Sequence, residues 1–175
     1  MRRVLIALDG RCAAGKTTLA ARLSDALGCT VFHMDDYFLR PFQRTKERLE
    51  TPGGNVDYER FWEEVLQPLA GGAQTISYRP YNCQTQELEE TILTTVGPVV
   101  IVEGSYSCHP ELWDAYDLHV FVDVDEQEQM RRIMERNGEA KAQQFRELWI
   151  PLEEQYFEVY RIRENCDICI KAVGD

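Results

Sequence analysis

The chain has 175 residues and a formal net charge of −11 at pH 7, with an isoelectric point near 4.8. This acidic balance argues against a nucleic-acid-binding protein, which needs a basic face, and the lack of an apolar run of ~18 residues argues against a membrane span. The apolar stretch near the start is too short for a signal peptide and the six cysteines are scattered, so we expect one cytoplasmic domain over residues 1–175.

The first predicted elements surround a glycine-rich loop. Residues 3–8 form an apolar run typical of a buried parallel strand, and residues 16–27 carry leucines at helical spacing until Gly28 ends the helix. Between them, residues 10–17 match the pattern G-x-x-x-x-G-K-[ST]. In this pattern backbone N–H groups surround phosphate oxygens, the lysine reaches the β- and γ-phosphates, and the threonine hydroxyl ligates Mg²⁺. We therefore predict a site for ATP and Mg²⁺, with the nucleotide bound by Gly10, Cys12, Ala13, Ala14, Gly15, Lys16, Thr17 and Thr18.

A dinucleotide-binding turn is the main alternative for this loop, because Asp35 follows about twenty residues later. Lys16 and the four residues between Gly10 and Gly15 argue against it, since dinucleotide loops have the spacing G-x-G-x-x-G. The loop is therefore interpreted as a nucleotide-phosphate site.

The middle of the chain contains a long irregular connection. A second strand is predicted over 30–34, and residues 35–57 then lack periodicity and contain two prolines and two glycines, as expected of a functional segment. A helix is predicted over 58–69, with Asp57 as its N-cap. An antiparallel excursion is predicted from the alternating segments 74–81 and 89–95.

The second half of the chain alternates strands and helices. Apolar runs predict strands over 98–102, 118–122 and 167–171, and helical periodicity predicts helices over 125–136 and 139–163. This alternation predicts an α/β fold with a doubly wound parallel sheet, in which ligands bind beyond the carboxyl ends of the strands. Three acids stand at such ends, namely Asp35, Glu103 and Asp123.

Two of these acids are candidates for catalysis. Asp35 can accept the proton of an acceptor hydroxyl or hold Mg²⁺ through water. Glu103 can orient a metal ion or water, and the structural alternative for either acid is a cap or a sheet-end hydrogen bond. Asp123 is expected to cap the following helix. Arg132 and Arg136 share one helix face and can neutralise a transferring phosphoryl group, although a solvated charged face fits the sequence equally well.

The function class follows from the motifs that accompany the loop. A GTPase would need an Asn-Lys-x-Asp motif and an Asp-x-x-Gly segment after the third strand, but that strand ends in Glu103-Gly104. A mechanical ATPase needs more chain for its motor modules, whereas a small-molecule kinase needs little more than this. We therefore predict an ATP-dependent phosphotransferase with a small-molecule acceptor.

Five sequence blocks point to one family of such kinases. They are Asp9 to Thr18, His33-Met34-Asp35-Asp36-Tyr37-Phe38, Gly54-Asn55-Val56-Asp57-Tyr58, Val102-Glu103-Gly104 and Arg131-Arg132-Ile133. Through them nearly the whole chain resembles the uridine kinase-like branch of the phosphoribulokinase/uridine kinase family, which includes the nicotinamide riboside kinases. The second and third blocks are far more specific to these kinases than the first.

The resemblance implies the P-loop NTPase fold, with a five-stranded parallel sheet, a β-hairpin excursion and a short helical lid at about 131–145. It implies transfer of the γ-phosphoryl group of ATP to the 5′-hydroxyl of a nucleoside such as uridine or cytidine, with acceptor-side segments at about 35–58 and 74–95. The catalytic residues would be Lys16, Asp35 as the general base, Arg132 and Arg136. The acceptor would be bound by Asp35, Tyr37, Asp57, Tyr81 and Glu103, and Mg²⁺ by Thr17, Asp35 and Glu103.

Two departures from the family pattern leave the acceptor open. Asn137-Gly138-Glu139 stands where such kinases carry a basic Arg-Gly-Arg segment, and residues 78–82 differ from their base-reading block. One alternative is a nucleotide or coenzyme-precursor kinase, whose phosphorylated acceptor needs a basic pocket. The other is a nucleotide-binding regulatory module without catalysis. The sequence leaves open the choice between ATP and GTP and the oligomeric state, a homo-oligomer included.

Overall fold

A five-stranded parallel sheet forms the centre of the computed structural model, which describes residues 3–172. The strands of this range are, in chain order, β1 (Val4–Gly10), β2 (Thr30–His33), β3 (Thr75–Tyr78), β4 (Tyr81–Asn82), β5 (Glu87–Leu88), β6 (Ile92–Thr95), β7 (Val99–Glu103), β8 (Leu118–Val124) and β9 (Ile168–Ala172). Parallel pairing joins five of them in the order β2-β7-β1-β8-β9. The predicted α/β class and its doubly wound parallel sheet are confirmed.

The helices of the same range are, in chain order, α1 (Lys16–Leu27), α2 (Lys46–Glu50), α3 (58–70), α4 (Glu126–Asn137), α5 (139–160) and α6 (Ile162–Asn165). Two of them, α3 and α5, are continuous but each contains one wider π-type turn, at Trp62–Leu66 and Phe145–Trp149. Short 3₁₀ turns lie at Met34–Tyr37, Pro41–Gln43 and Trp113–Ala115. Across residues 3–172, no helix has the length and apolar character needed to cross a bilayer.

Two apolar clusters hold the sheet between layers of helices. Val102 of β7 packs in one cluster with Phe61 of α3 and Tyr156 of α5, whereas its neighbour Ile101 packs in the other with Ala20 of α1. Because successive residues of a strand point to opposite faces, β7 is buried on both faces. Its uninterrupted apolar sequence is typical of such a strand.

The observed end of α1 matches the sequence prediction, whereas the residue that caps the start of α4 does not. α1 begins after Gly15 and ends at Gly28, which has a φ of 66°, the left-handed conformation that glycine tolerates. α4 begins at Glu126, and the side chain of the preceding Asp125 caps it by accepting the N–H of Gln127. The expectation that Asp123 caps this helix is wrong, because β8 extends past Asp123 and its carboxylate pairs with Arg163 at 3.0 Å.

The connection over 35–57 and the antiparallel excursion after α3 are the segments predicted to bind the acceptor. The connection, expected to be irregular, holds two of the 3₁₀ turns and α2. Asp57 caps α3 as predicted, by accepting the N–H of Arg60 at 3.2 Å. The predicted excursion is confirmed, since β3 pairs antiparallel with β6, and β4 with β5. The helix expected over 139–163 is interrupted at Arg161, whose φ is 51°.

Candidate active site

A cavity of about 870 Å³ opens where β1, β2 and β7 end. One wall is the phosphate loop, and a second carries Asp35 and Glu103. A third wall comes from α5 through Phe145, Leu148 and Trp149. Parallel α/β sheets bind their ligands at this edge, so the cavity lies where the topology places a site.

A larger cavity, of about 1020 Å³, lies at the opposite end of the strands. It is lined by Arg3 and Leu5 near the start of β1, by Asp117 before β8, and by Trp62 and Leu66 of α3. None of the residues predicted to bind phosphate or accept a proton is part of its wall. We therefore take the cavity beside the phosphate loop as the candidate active site.

The phosphate loop has a conformation that its glycines permit. Gly10 has a φ of 128°, and a Cβ at this position would lie 2.1 Å from the carbonyl oxygen of Val122, so only glycine fits there. Lys16 is buried, and its Nζ donates to the carbonyl oxygens of Gly10 at 2.7 Å and Arg11 at 2.8 Å. The predicted nucleotide residues on the cavity wall are Cys12, Ala13, Gly15, Lys16, Thr17 and Thr18, whereas Gly10 and Ala14 are buried.

Thr17, Glu103 and His33 form a chain of contacts on the sheet side of the cavity. The Thr17 hydroxyl lies within hydrogen-bond distance of both carboxylate oxygens of Glu103, at 3.1 and 3.2 Å. Nδ1 of His33 lies 2.5 Å from Oε1 of Glu103, and this hydrogen bond raises the pKa of His33. Oxygen donors of this kind suit Mg²⁺. Residues 3–172 hold no group of three or more Asp, Glu, His or Cys side chains able to bind a metal, so Mg²⁺ would also need phosphate or water ligands.

Asp35 reaches the same cavity from the turn that follows β2. Although Asp35 is exposed by surface area, the surrounding protein desolvates its carboxyl group and raises its pKa, while Lys16 opposes the shift and Glu103 adds to it. Gly104 lies against it with a φ of 133°, and a Cβ there would come within 3.3 Å of Oδ1 of Asp35. A carboxylate with a raised pKa is suited to accept a proton from a hydroxyl group.

Arg132 and Arg136 approach the phosphate loop from α4, and both line the cavity. Arg132 donates from Nη1 to the carbonyl oxygen of Ala13 at 3.3 Å and from Nε to Glu128 at 2.6 Å. Arg136 donates from Nε to the side chain of Asn137 at 2.9 Å. The segment predicted to be a lid therefore brings positive charge to the loop.

Three residues predicted to bind the acceptor are not brought to the cavity wall. Tyr37 is fully buried and its hydroxyl donates to Glu64 at 3.1 Å. Asp57 is 2% exposed and caps α3, and Tyr81 is 4% exposed with its hydroxyl 3.4 Å from Arg44. Direct contact between these three side chains and an acceptor stays a prediction, and it would require them to move.

The cavity wall beyond Asp35 is formed by side chains to which the sequence assigned no binding role. They are Phe38, Leu39, Arg44, Leu49, Asn55 and Cys83, of which Phe38 and Asn55 belong to the sequence blocks of the family resemblance. Their positions depend on the path of the 35–57 connection and of the hairpin, which a local sequence pattern does not specify.

Asp9 lies behind the phosphate loop, and the sequence did not indicate a role for it. It is fully buried, and burial raises its pKa. Its carboxylate accepts the N–H groups of Gly10 at 2.6 Å, Tyr106 at 3.1 Å and Cys108 at 2.9 Å, and the hydroxyl of Tyr156 at 2.8 Å. Asp9 therefore joins the start of the phosphate loop to the segment after β7 and to α5.

Ser105 and Glu153 were also not anticipated. Glu153 accepts the Ser105 hydroxyl at 2.5 Å and the backbone N–H of Cys12 at 3.1 Å. The sequence did contain an indication that Glu153 is buried. Glu153 lies four residues from both Trp149 and Phe157 and so shares their helix face. A carboxylate on an apolar helix face is an indication of a buried polar contact.

Comparison with known proteins places the chain among kinases. The model of the cytidylate kinase-like family matches residues 5–149. A uridine kinase from Halobacterium salinarum is 27% identical over 185 residues, which cover 94% of this chain and 78% of that protein.

Solved structures show the same fold. A protein from Bacillus stearothermophilus, described as a possible uridine kinase, matches with a TM-score of 0.69 at 21% identity, over 97% of this chain and 89% of that one. D-glycerate 3-kinase from Cryptococcus neoformans matches with a TM-score of 0.59 at 16% identity, over 92% of this chain and 79% of that one. These matches confirm the predicted P-loop kinase fold.

Proposed function

The chain belongs to the cytidylate kinase-like family, and from this membership we propose that it is an ATP-dependent small-molecule kinase acting on the 5′-hydroxyl of a nucleoside such as uridine or cytidine. The observation that carries the proposal is that one cavity unites Lys16 and Thr17 with Asp35 and Glu103. The first pair suits phosphates and Mg²⁺, and the second pair adds carboxylates suited to proton transfer and metal orientation. Nucleotide binding alone would need only the first pair.

The donor side of the cavity fits the phosphates of ATP. The loop N–H groups and the start of α1 favour anions, and Lys16 adds a buried positive charge. Thr17 and Glu103, with Asp35 through water, provide oxygen donors for Mg²⁺, which when bound would neutralise charge on the phosphates. Arg132 and Arg136 supply further positive charge from α4.

We assign Asp35 as the general base of the transfer step. Asp35 accepts the proton of the acceptor hydroxyl while the hydroxyl oxygen forms a bond to the γ-phosphorus of ATP. The bond from this phosphorus to the β–γ bridging oxygen breaks, and ADP leaves. Lys16, Arg132 and Arg136 stabilise the negative charge on the transferring group.

The acceptor side favours a molecule with a flat apolar part. Phe38, Leu39 and Leu49 offer an apolar wall, and Asn55 and Arg44 offer hydrogen bonds. The halobacterial relative is named a uridine kinase, which agrees with a nucleoside. D-glycerate 3-kinase shares the fold, so the choice of a nucleoside depends on this wall rather than on the fold.

The proposal assigns all parts of the kinase to a single domain over residues 1–175, of which 1–2 and 173–175 lie outside the described residues. Residues 131–145 would act as the lid, across the end of α4 and the start of α5. The acceptor side would be formed by 35–58 and 74–95. We also propose a cytoplasmic location, where ATP and Mg²⁺ are available.

A second candidate is transfer to a nucleoside monophosphate. The family description names cytidylate, and Arg44 lies on the cavity wall, where its guanidinium contacts the uncharged carbonyl of Leu39 at 3.0 Å. A phosphate on the acceptor could pair with it. Arg48, by contrast, is paired with Glu59 at 2.6 Å. A catalytically silent regulatory module is the candidate from another class.

The test is ADP release from Mg²⁺–ATP with a panel of acceptors: uridine, cytidine, deoxynucleosides, nicotinamide riboside, pantothenate and nucleoside monophosphates. We expect strong stimulation by one nucleoside, abolished by Lys16→Ala and retained by Lys171→Ala, a lysine on exposed β9. Stimulation only by a monophosphate would support the second candidate. ATP binding with no stimulation by any acceptor would contradict the nucleoside kinase and favour the regulatory module.

A further inference from the structure

Glu153 is a buried carboxylate in the nucleotide half of the cavity to which the transfer chemistry assigns no role. It lies on α5, is 5% exposed and belongs to the cavity wall. One carboxylate oxygen accepts the Cys12 N–H at 3.1 Å, and the other accepts the Ser105 hydroxyl at 2.5 Å. Burial raises its pKa, and Lys16 is the positive charge that opposes this shift most strongly.

These partners are the kind that the phosphate loop offers to a nucleotide. Cys12 is within the loop and on the cavity wall, and loop N–H groups of this type are donors to phosphate oxygens. Nζ of Lys16 lies 3.4 Å from the Ser105 hydroxyl, so the Ser105 hydroxyl links the carboxylate to the lysine that reaches the phosphates. The carboxylate of Glu153 therefore occupies the same loop groups, the Cys12 N–H and the surroundings of Lys16, that would bind the phosphates of a nucleotide.

A phosphate and this carboxylate cannot both use the same N–H at full strength. Two anions close together also repel each other in a site of low dielectric. The neighbouring Glu154 does not share this position, because its carboxylate is 41% exposed and pairs with Arg11 at 2.8 Å.

We propose that Glu153 is a further residue of the nucleotide site, whose carboxylate competes with the terminal phosphate of the nucleotide for the Cys12 N–H, so that triphosphate binding displaces it. The proposal rests on the proposed function in requiring that the loop binds a nucleotide. Phe145, Leu148 and Trp149 of the same continuous helix also line the cavity.

The test measures dissociation constants by calorimetry for a non-hydrolysable ATP analogue with Mg²⁺, for ADP and for AMP. Glu153→Gln removes the charge while keeping the size of the side chain. We expect the variant to bind the ATP analogue about tenfold more tightly than the unmodified protein, the scale of one charge-assisted hydrogen bond. The gain should be smaller for ADP and absent for AMP, which brings no terminal phosphate to the loop.

The matched control is Glu158→Gln, which removes the same charge from an exposed position on the same helix. It should leave all three dissociation constants unchanged. Equal tightening in both variants would overturn the proposal, because the effect would then come from net charge and not from competition at the loop.

A purely structural role for Glu153 predicts the opposite sign. Loss of its contacts would then weaken binding of the ATP analogue and raise the KM for ATP, whereas competition predicts a lower KM for ATP without a higher kcat. If Glu153→Gln does not fold, Ser105→Ala tests the same point. It removes the hydroxyl that holds the carboxylate beside the loop, so the nucleotide should displace Glu153 more easily and the analogue should again bind more tightly. Weaker or unchanged binding in the folded variant would overturn the proposal.

Failure of the proposed function is distinguishable from failure of this inference. If the unmodified protein binds the ATP analogue but phosphorylates none of the acceptors, the kinase proposal fails while the competition at Cys12 can still be measured. If the protein is an active kinase and Glu153→Gln does not bind the analogue more tightly, only the inference fails.

Discussion

The hydroxyl of Thr17 lies 3.1 and 3.2 Å from the two carboxylate oxygens of Glu103. Thr17 lies in the first turn of α1 and Glu103 ends β7, so this contact joins the phosphate loop to the strand next to β1 in the sheet. It places a hydroxyl and a carboxylate, both oxygen donors, side by side at the mouth of the cavity.

Glu103→Gln tests whether this pair serves Mg²⁺. The amide keeps the shape of the side chain but removes the negative charge that a hard cation prefers. We expect the Mg²⁺ concentration for half-maximal activity to rise about tenfold or more, measured by titrating Mg²⁺ at fixed ATP. Glu111→Gln, on an exposed residue after the same strand, should leave the Mg²⁺ titration unchanged, and an unaltered titration for Glu103→Gln would rule out the metal assignment.

Asp35→Asn tests the assignment of the base. The variant should bind ATP as before but lose about 10²- to 10⁴-fold in kcat, the range of general-base catalysis. Binding is measured by calorimetry and turnover by ADP release. Asp36→Asn is the matched control, because Asp36 is the neighbouring carboxylate and is not part of the cavity wall. Normal turnover in Asp35→Asn would show that another group accepts the proton.

The pH dependence of kcat/KM gives a second test of Asp35. Desolvation of its carboxyl group by the surrounding protein raises its pKa above the ordinary aspartate value of 3.8, and only the ionised form can accept a proton. Activity should therefore be complete at pH values above the raised pKa and fall as the pH drops through it. The fall in kcat/KM at low pH should therefore give a pKa above 3.8, and the residual activity of Asp35→Asn should not show this fall. If the fall is unchanged in that variant, the titrating group is not Asp35.

Arg136→Ala and Arg131→Ala separate the cavity face of α4 from its solvent face. Arg136 lines the cavity, whereas Arg131 pairs with Glu128 and Glu135. We expect Arg136→Ala to lower kcat about 10- to 100-fold through lost stabilisation of the transferring group, and Arg131→Ala to leave kcat within about twofold. Equal effects in steady-state assays would contradict a catalytic role for Arg136.

Gly104→Ala probes the packing behind Asp35. The new Cβ would lie 3.0 Å from the Cβ of Met34 and 3.3 Å from Oδ1 of Asp35, at a φ of 133°. We expect a loss of about 1–3 kcal/mol in the free energy of unfolding together with a lower kcat, because Asp35 must shift. Gly72→Ala is the control, because Gly72 also has a positive φ but a Cβ there would meet no atom within 4 Å. We expect this variant to lose stability without losing kcat. Chemical denaturation measures the stability of both variants, and steady-state turnover measures their kcat.

The sheet, α1 and the phosphate loop could be predicted because their signals are local. Apolar runs mark β1 and β7, and the spacing of Gly10, Gly15 and Lys16 identifies the loop without reference to distant residues. Asp35 and Glu103 followed one step later, since the ends of parallel strands meet at one edge. The structure brings both to the same cavity as Lys16.

The acceptor side could not be predicted in the same way, because distant contacts decide which side chains face the cavity. Tyr37 is turned into the core, where the guanidinium of Arg60 lies 4.1 Å from the centre of its ring. Glu153 meets partners 48 and 141 positions away in the chain. A pattern of periodicity shows that such a residue is on a buried face but not which residue it meets.

The four hydrogen bonds of Asp9 have a consequence for the biosynthesis of the protein. Two of its amide donors lie 97 and 99 positions later in the chain, and the phenol of Tyr156 lies 147 positions later. A nascent chain that has emerged only as far as α4 would therefore present the phosphate loop beside a carboxylate that still lacks its phenol donor. Its other three donors, all backbone N–H groups, are already present at that length, so we expect the carboxylate to gain its last hydrogen bond only after the ribosome has extended the chain through Tyr156. The motif appears among the first residues to be synthesised, but the site it belongs to is one of the last parts to be completed.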